Sequence, residues 1–459
     1  MKEQTRKISY KKKKKGFRLS PAQIIAIVFA SIILLGTLLL SLPVASRNGQ
    51  SCGILPALFT ATSATCVTGL TLFDTWTQWS GFGQVVIMCM IEIGGLGFMS
   101  AASLLVFLFR KKIGLRQKML IAQALSLNEM DSVVRLQKWV ILGSLTIQVT
   151  GMAILFLRFW PTYGAGQAAT WSLFHAVSAF CNAGFDIVGK IAPGANMIVF
   201  NNDPVVCITL MALIVVGGLG FFVWEDVATT RNFKKFSVYT KLVLITSAVL
   251  IISGAAMFAM LEWNNPDTLG NMPVWQKIMN AFFQSVTVRT AGFTPVDQAA
   301  LTEGSKAVSV FLMFVGGASG STAGGIKMVT FLVLVLFVVA RARGKNTVTV
   351  FKRTVPHSKV LDAATIVALL IGMAMAGAVF ITTTAPVSFT DALFEATSAL
   401  ATVGLTAGVT PLLGAPAQIL LIIFMYFGRV GILTLSMGFL TANKAEERIR
   451  YADTNLLIG

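Results

Sequence analysis

Charge is what this sequence has least of. Only 12% of its 459 residues are Asp, Glu, Lys or Arg, against 55% hydrophobic residues and a mean hydropathy of +0.76. A water-soluble domain of this size has too little interior to hide such a composition, so a bilayer is the expected solvent. Histidine is nearly absent: His175 and His357 lie far apart, without catalytic or metal-ligand spacing, which speaks against an enzyme. Cysteine is scarce and odd in number, and Cys52, Cys66, Cys89, Cys181 and Cys207 form neither a disulfide framework nor a metal cluster. Acidic residues are few as well, 19 against 37 Lys and Arg, for a formal charge of +18. In a soluble chain that excess suggests nucleic acid, but its distribution here excludes that partner.

What is present in quantity is long apolar sequence. Runs over 22–43, 81–109, 139–158, 205–224, 242–262, 306–340, 363–384 and 416–440 each approach or exceed the length that crosses a hydrocarbon core of ~30 Å at ~1.5 Å per helical residue. The first run follows a basic tail and is long enough to span, so it is expected as a helix rather than a cleaved signal. Eight spans place both termini on one side. The tail 1–20, the connections 110–138, 225–241 and 341–361, and the C-terminus 441–459 carry 29 of the 37 Lys and Arg. The excess of basic residues on the inner side predicts a plasma-membrane protein with cytoplasmic N- and C-termini. The run Lys11 to Lys15 is read as a solvated, orienting tail with no specific partner beyond the lipid bilayer.

Each outward connection holds a shorter, moderately apolar stretch that ends in glycine. The segments are FTATSATCVTGL (59–70), FHAVSAFCNAGF (174–185), FFQSVTVRTAGF (282–293) and FEATSALATVGL (394–405), which align without gaps. Their glycines, Gly69, Gly184, Gly292 and Gly404, recur at intervals of 115, 108 and 112 residues. A second signature follows in each later span: IGGLGF (93–98), VGGLGF (216–221), VGGASG (315–320) and FGRVGI (427–432). Two aligned signatures, four times over, predict four repeats of helix, pore loop and helix, all entering the membrane in the same sense. The expected fold is all-α, with eight transmembrane helices around one central pore in pseudo-fourfold arrangement. The units run over 21–110, 111–224, 225–340 and 341–440.

The chemistry of such loops points to a cation. A dehydrated cation needs oxygens, and four loops around an axis supply rings of backbone carbonyls without burying fixed charge. Glycine suits the narrowest point, where the backbone takes angles costly for a Cβ. The expected selectivity filter is Val67, Thr68 and Gly69; Asn182, Ala183 and Gly184; Thr290, Ala291 and Gly292; and Thr402, Val403 and Gly404. Pore helices expected over 57–65, 172–179, 278–287 and 392–400 aim their negative C-terminal ends at the ion. For one loop alone, small-residue packing is the stronger reading; common spacing across four loops is not explained by packing. Asp74, Asp186 and Asp297 follow filters and are read either as outer attractors of cations or as solvated loop carboxylates. A secondary active transporter of another cation or small solute is the alternative, and it predicts two inverted halves.

On these residues the chain resembles the Trk/Ktr/HKT superfamily of potassium uptake proteins over essentially all of 20–459. Because one span leads directly to Gly69, without two extra helices before it, the resemblance is to the shorter KtrB type of membrane subunit. The resemblance implies K+ as transported ion, a homodimer with one pore per subunit, and a cytosolic KtrA-type regulatory ring that carries the ATP or ADP. For some members it also implies stimulation by sodium. It further assigns an intramembrane gate to 316–327, whose five glycines, Gly316, Gly317, Gly320, Gly324 and Gly325, disfavour regular helix and precede Lys327. Arg429 stands where the other repeats have Gly95, Gly218 and Gly317, and an arginine within an apolar span is expected beneath the filter, facing that loop. The Arg429 charge is read as limiting cation passage or holding the loop through carbonyls, with structural pairing to Glu92 as the alternative; Glu92 is equally a candidate partner of Lys327, and the sequence does not choose.

Overall fold

The computed structural model describes residues 21–109 and 132–431, and this part of the chain is almost entirely helical. The tail 1–20, most of the connection after the second span, the end of the last span beyond 431 and the C-terminus 441–459 lie outside the described residues. Four long first helices, Pro21–Ser41, Ser132–Tyr163, Val238–Glu262 and His357–Thr384, each precede a shorter one: Ile54–Thr65, Ala165–Phe180, Val274–Thr287 and Phe389–Leu400. All four first helices contain windows long and apolar enough to cross a bilayer. In hydrocarbon a helix is the local way to satisfy every backbone donor and acceptor, so length plus apolar composition decides their conformation.

The short helices begin earlier than the sequence pattern suggests. The first turns of the last three are less apolar, and local chemistry starts three of the four: Gly53 and Gly164 turn the chain at φ +88° and +78°, and the Ser388 hydroxyl accepts from the Asp391 amide. A larger departure concerns the later spans, only the third of which carries an interruption readable from composition. All four lose helical geometry at the second signature. Gly97 sits at φ +66° inside Gly81–Phe109, and Gly220 at φ +88° separates Pro204–Leu219 from Phe221–Thr230, which turn by 94°. Glu303–Phe314 and Met328–Ala342 are separated by the glycine-rich loop, and Ala415–Val430 ends at Gly431 with φ +93°. The run 306–340 is therefore two helices. A small hairpin pairing Thr349–Val350 with Arg353–Thr354 in the basic connection is the one strand feature among the described residues.

Packing follows a cyclic order. Each first helix lies against the short helix of its own segment, and each later helix also packs on the short helix of the next, from first to second, second to third, third to fourth and fourth back to first. The first glycine of the second signature explains the close fit. A Cβ on Gly94, Gly217 or Gly428 would stand 1.9, 2.1 and 2.1 Å from the carbonyl oxygens of Thr65, Phe180 and Leu400, the last residues of three short helices. The third segment differs, because a Cβ on Gly316 would stand 2.0 Å from the Gly324 carbonyl oxygen of its own loop. Ion pairs tie neighbouring elements: the exposed Arg158 with the buried Asp203, and the buried Lys306 with the partly buried Asp391 across the third and fourth segments, each at 2.7 Å.

Candidate selectivity filter and gate

The short helices end at the residues where the loops begin, and the loops share one backbone pattern. Two residues before each glycine a non-glycine residue is left-handed: Val67 at φ +56°, Asn182 at +59°, Thr290 at +67° and Thr402 at +53°. The glycines follow at +99°, +68°, +80° and +91° for Gly69, Gly184, Gly292 and Gly404. Left-handed backbone at non-glycine residues is uncommon, so four equivalent instances mark an imposed conformation rather than local preference. Hydroxyls of the short helices hold it. Ser63 and Ser398 accept from the amides of Gly69 and Gly404 at 3.1 Å, and Ser178 donates to the Phe185 carbonyl at 2.7 Å. The third loop has Val286 at the serine position, and Thr287 instead donates to Phe293 at 2.6 Å.

The four glycines meet in sequence order. A Cβ on Gly69 would lie 2.4 Å from the Ala183 carbonyl oxygen, one on Gly184 2.7 Å from Gly292 Cα, one on Gly292 2.6 Å from the Val403 oxygen, and one on Gly404 2.0 Å from the Thr68 oxygen. The loops thus close a ring in which each narrow point is backbone against backbone. Thr68, Thr290 and Thr402 are fully buried there, with hydroxyls that find no partner in the protein. Buried unpaired oxygens are costly unless something other than the protein supplies the contact.

Beneath this ring lies the loop of Gly316, Gly317, Gly320, Gly324 and Gly325. It closes on itself through Gly316 N–H to Ile326 O at 2.9 Å and Met328 N–H to Gly317 O at 3.1 Å. It docks on the broken second-segment helix through Ala318 N–H to Gly218 O and Phe221 N–H to Gly320 O, both 2.9 Å, and on Tyr239, whose hydroxyl donates to Ser319 O at 2.9 Å. It also touches the filter, since a Cβ on Gly324 would stand 1.9 Å from the Thr402 hydroxyl. Arg429 reaches it from the fourth segment. Its guanidinium donates to the Thr322 carbonyl and, on the other side, to the carbonyls of Gly94 and Gly95 of the first segment. Lys327 donates within the loop, to Ala323 O at 2.8 Å.

Glu92 pairs with neither cation among the described residues. It accepts from the Gln148 amide at 2.9 Å and the Cys181 thiol at 3.4 Å, so neither candidate pairing is made and Glu92 instead forms a polar contact between first and second segments. The reason is reach: carbonyls occupy the guanidinium's donors, and the planar fork matches several acceptors at once. Sequence reasoning also passed over Arg289, buried three residues before Gly292, which donates to Ser247 at 3.1 Å and contacts the Met328 sulfur. Its place, equivalent to Cys66, Cys181 and Ala401, was the available signal.

The post-filter aspartates divide by role. Asp74 accepts from Thr77 N–H at 2.8 Å and Gly194 N–H at 3.0 Å, and Asp297 from Ala299 N–H at 3.0 Å, so both are loop caps. Asp186 is different: burial, with a further push from the Asp74 carboxylate, raises its pKa to about 7. A carboxyl raised this way holds a proton in the native state that the unfolded chain releases. Stability from this group is therefore fully present near pH 4 and lost as pH rises through about 7. The purified protein is expected to melt at lower temperature at pH 8 than at pH 5.5, and Asp186→Asn to flatten that difference; an unchanged pH slope in the variant rules out Asp186 as its source.

The chain as a whole is similar to known cation transport proteins. The family model described as TrkH, cation transport protein, matches residues 4–448. The potassium/sodium uptake protein NtpJ of Enterococcus hirae is 38% identical over 453 residues, 98% of this chain and 99% of that one. The Ktr system potassium uptake protein B of Bacillus subtilis is 40% identical over 447 residues, 97% and 98% of the two chains. Among solved structures, the potassium transporter TrkH from Vibrio parahaemolyticus superposes with a TM-score of 0.70 at 18% identity, covering 93% of this chain and 86% of that one.

Proposed function

The chain belongs to the TrkH family of cation transport proteins, and on that premise we propose that it takes up potassium across the plasma membrane through a filter of four glycine-centred loops. The observation that carries this reading is the ring: four glycines in mutual backbone contact, beside threonine hydroxyls without protein partners. Carbonyl rings of this kind replace the hydration shell of a cation, and the four short helices direct their negative ends toward it. Eight spans, counting the broken later helices, surround the ring as four parallel repeats with both termini in the cytoplasm. The cyclic packing order favours this over two inverted halves, the arrangement a midplane substrate pocket would require.

The loop 316–327 gates this path from below, held by Arg429 and the second-segment helix. Ktr-named relatives support a partnership with other components of such a system. We assign that role to a KtrA-type cytosolic ring, with ATP or ADP bound there, acting on a homodimer of this chain. The potassium/sodium name of the Enterococcus relative motivates stimulation by sodium. The reading is tested in cells lacking their own potassium uptake, with the ring co-expressed, by measuring K+ and Na+ accumulation for wild type and Gly292→Ser. Wild-type uptake of K+, with selectivity or flux lost in the variant, is the expected result. Accumulation equal to that of empty cells, with wild type present in the membrane, overturns it.

A further inference from the structure

We infer that His175 and Glu395 are positioning residues which, from behind the filter, fix the outgoing legs of the second and fourth loops and so set discrimination between K+ and Na+; this rests on the filter reading above. The two residues occupy one place in the repeat, nine positions before Gly184 and Gly404. Both are buried, at 1% and 0% exposure. Each reaches past the glycine to the chain leaving the filter. His175 Nε2 accepts from the Ile187 amide at 3.3 Å. Glu395 Oε1 accepts from the Thr410 hydroxyl, with the Thr406 hydroxyl and the Ala407 amide facing the same carboxyl. Ile187 and Ala407 are themselves equivalent, three residues beyond their glycines.

Packing does not account for this pair. The same place in the third repeat is filled by the apolar Phe283, fully buried, so a hydrocarbon side chain fits behind a filter loop. A buried polar group costs more than a buried apolar one unless its bonds are made, and Glu395 keeps one oxygen without a hydrogen-bond partner. Such a cost persists where the made bonds hold something specific. What they hold is the outgoing leg of the loop, whose other end is the ring of carbonyls. Following the order of glycine contacts, the second and fourth loops face each other across the ring, so the braces lie on one diagonal. On the other diagonal, the third loop is tied through the Gln284 and Gln298 amides, which bond each other at 2.6 and 3.0 Å. Ion discrimination rests on small differences in carbonyl position and stiffness, and a leg released from its brace relaxes along that diagonal.

The test compares Na+ with K+ uptake in cells lacking other potassium uptake, with membrane abundance measured for every variant. Glu395→Leu and His175→Phe remove the acceptors and keep the bulk, while Glu395→Gln and His175→Gln keep an acceptor. The expected result is an Na+-to-K+ ratio raised about tenfold, the factor equivalent to ~1.4 kcal/mol, in the first pair and restored toward wild type in the second. A purely structural role lowers the amount of protein without moving the ratio, and that outcome overturns the inference. If Glu395→Leu does not reach the membrane, Thr410→Val, which removes the donor at the far end of the brace, decides in its place. Gly292→Ser is run alongside: a ratio altered there and unaltered in the brace variants rejects the braces alone, and a ratio unaltered in all of them rejects the filter reading itself.

Discussion

Gly404→Ala is expected to abolish potassium uptake while the protein remains in the membrane, and to do so more completely than Gly184→Ala. The ranking comes from two independent quantities. At Gly404 an added Cβ stands 2.0 Å from the Thr68 carbonyl oxygen and 2.9 Å from Gly69 Cα, so backbone of the first loop must move. At Gly184 the nearest atom is 2.7 Å away. The torsions agree, because Gly404 at φ +91° and Gly69 at +99° lie beyond the left-handed region that side chains tolerate, whereas Gly184 at +68° lies near it. Holding a non-glycine residue in such a conformation costs on the order of 1–3 kcal/mol, before any clash is counted. A carbonyl displaced from the ring also removes an ion ligand, and each ~1.4 kcal/mol is tenfold in binding. Initial rates of K+ accumulation for the four single glycine-to-alanine variants check the order. Full uptake by Gly404→Ala, or equal loss at Gly184, would mean that these contacts do not set the conduction path.

The parts of this architecture legible in the sequence were those written as repeated spacing. The four glycines and the phenylalanine ten residues before each are a one-dimensional pattern, and the structure brings those glycines into one ring. Long apolar helices were legible because lipid leaves the backbone no alternative. The breaks in the first and second later helices and the end of the fourth at Gly431 were not, although their signatures were plain. Gly97, Gly220 and Gly431 sit in sequences as apolar as any helix, and a glycine's torsion is decided by what packs on it. The left-handed Val67, Thr290 and Thr402 were invisible for the same reason, since among the four residues at this place only Asn182 is of a type that favours that region. The Asn182 amide shows how context imposes the conformation: oriented to satisfy its bonds, it donates to Ala179 O at 3.1 Å and Ile214 O at 3.2 Å, one in the loop's own helix and one in the later helix. Partners of buried charge were hardest. Glu92 is close in composition logic to either cation, but Gln148 and Cys181 arrive from sequence positions 56 and 89 residues away.

The geometry around Arg429 leads to the second large expected effect. Arg429→Ala should raise potassium flux measured without the regulatory ring by about tenfold or more. Arg429 bridges three carbonyls, one on the gate loop at Thr322 and two on the first segment at Gly94 and Gly95, so it fastens the loop to the helix across the pore. Hydrogen bonds from a charged donor contribute about 1.5–3 kcal/mol each, and removing them shifts a closed loop toward open by the corresponding factor. The loop keeps its ties to Gly218 and Tyr239, so it stays folded against the second segment while losing its anchor on the fourth. On the proposed gate reading, a positive charge in the path also opposes cations, and its removal alone would raise flux. Arg429→Lys separates the two effects: lysine keeps the charge but has one ammonium instead of a planar fork, so it cannot span Thr322 and Gly94 together. If fastening dominates, the lysine variant leaks nearly as much as alanine; if repulsion dominates, it stays as tight as wild type. Flux unchanged in both variants would remove Arg429 from the gate and leave its three carbonyl contacts as a packing feature of the closed bundle.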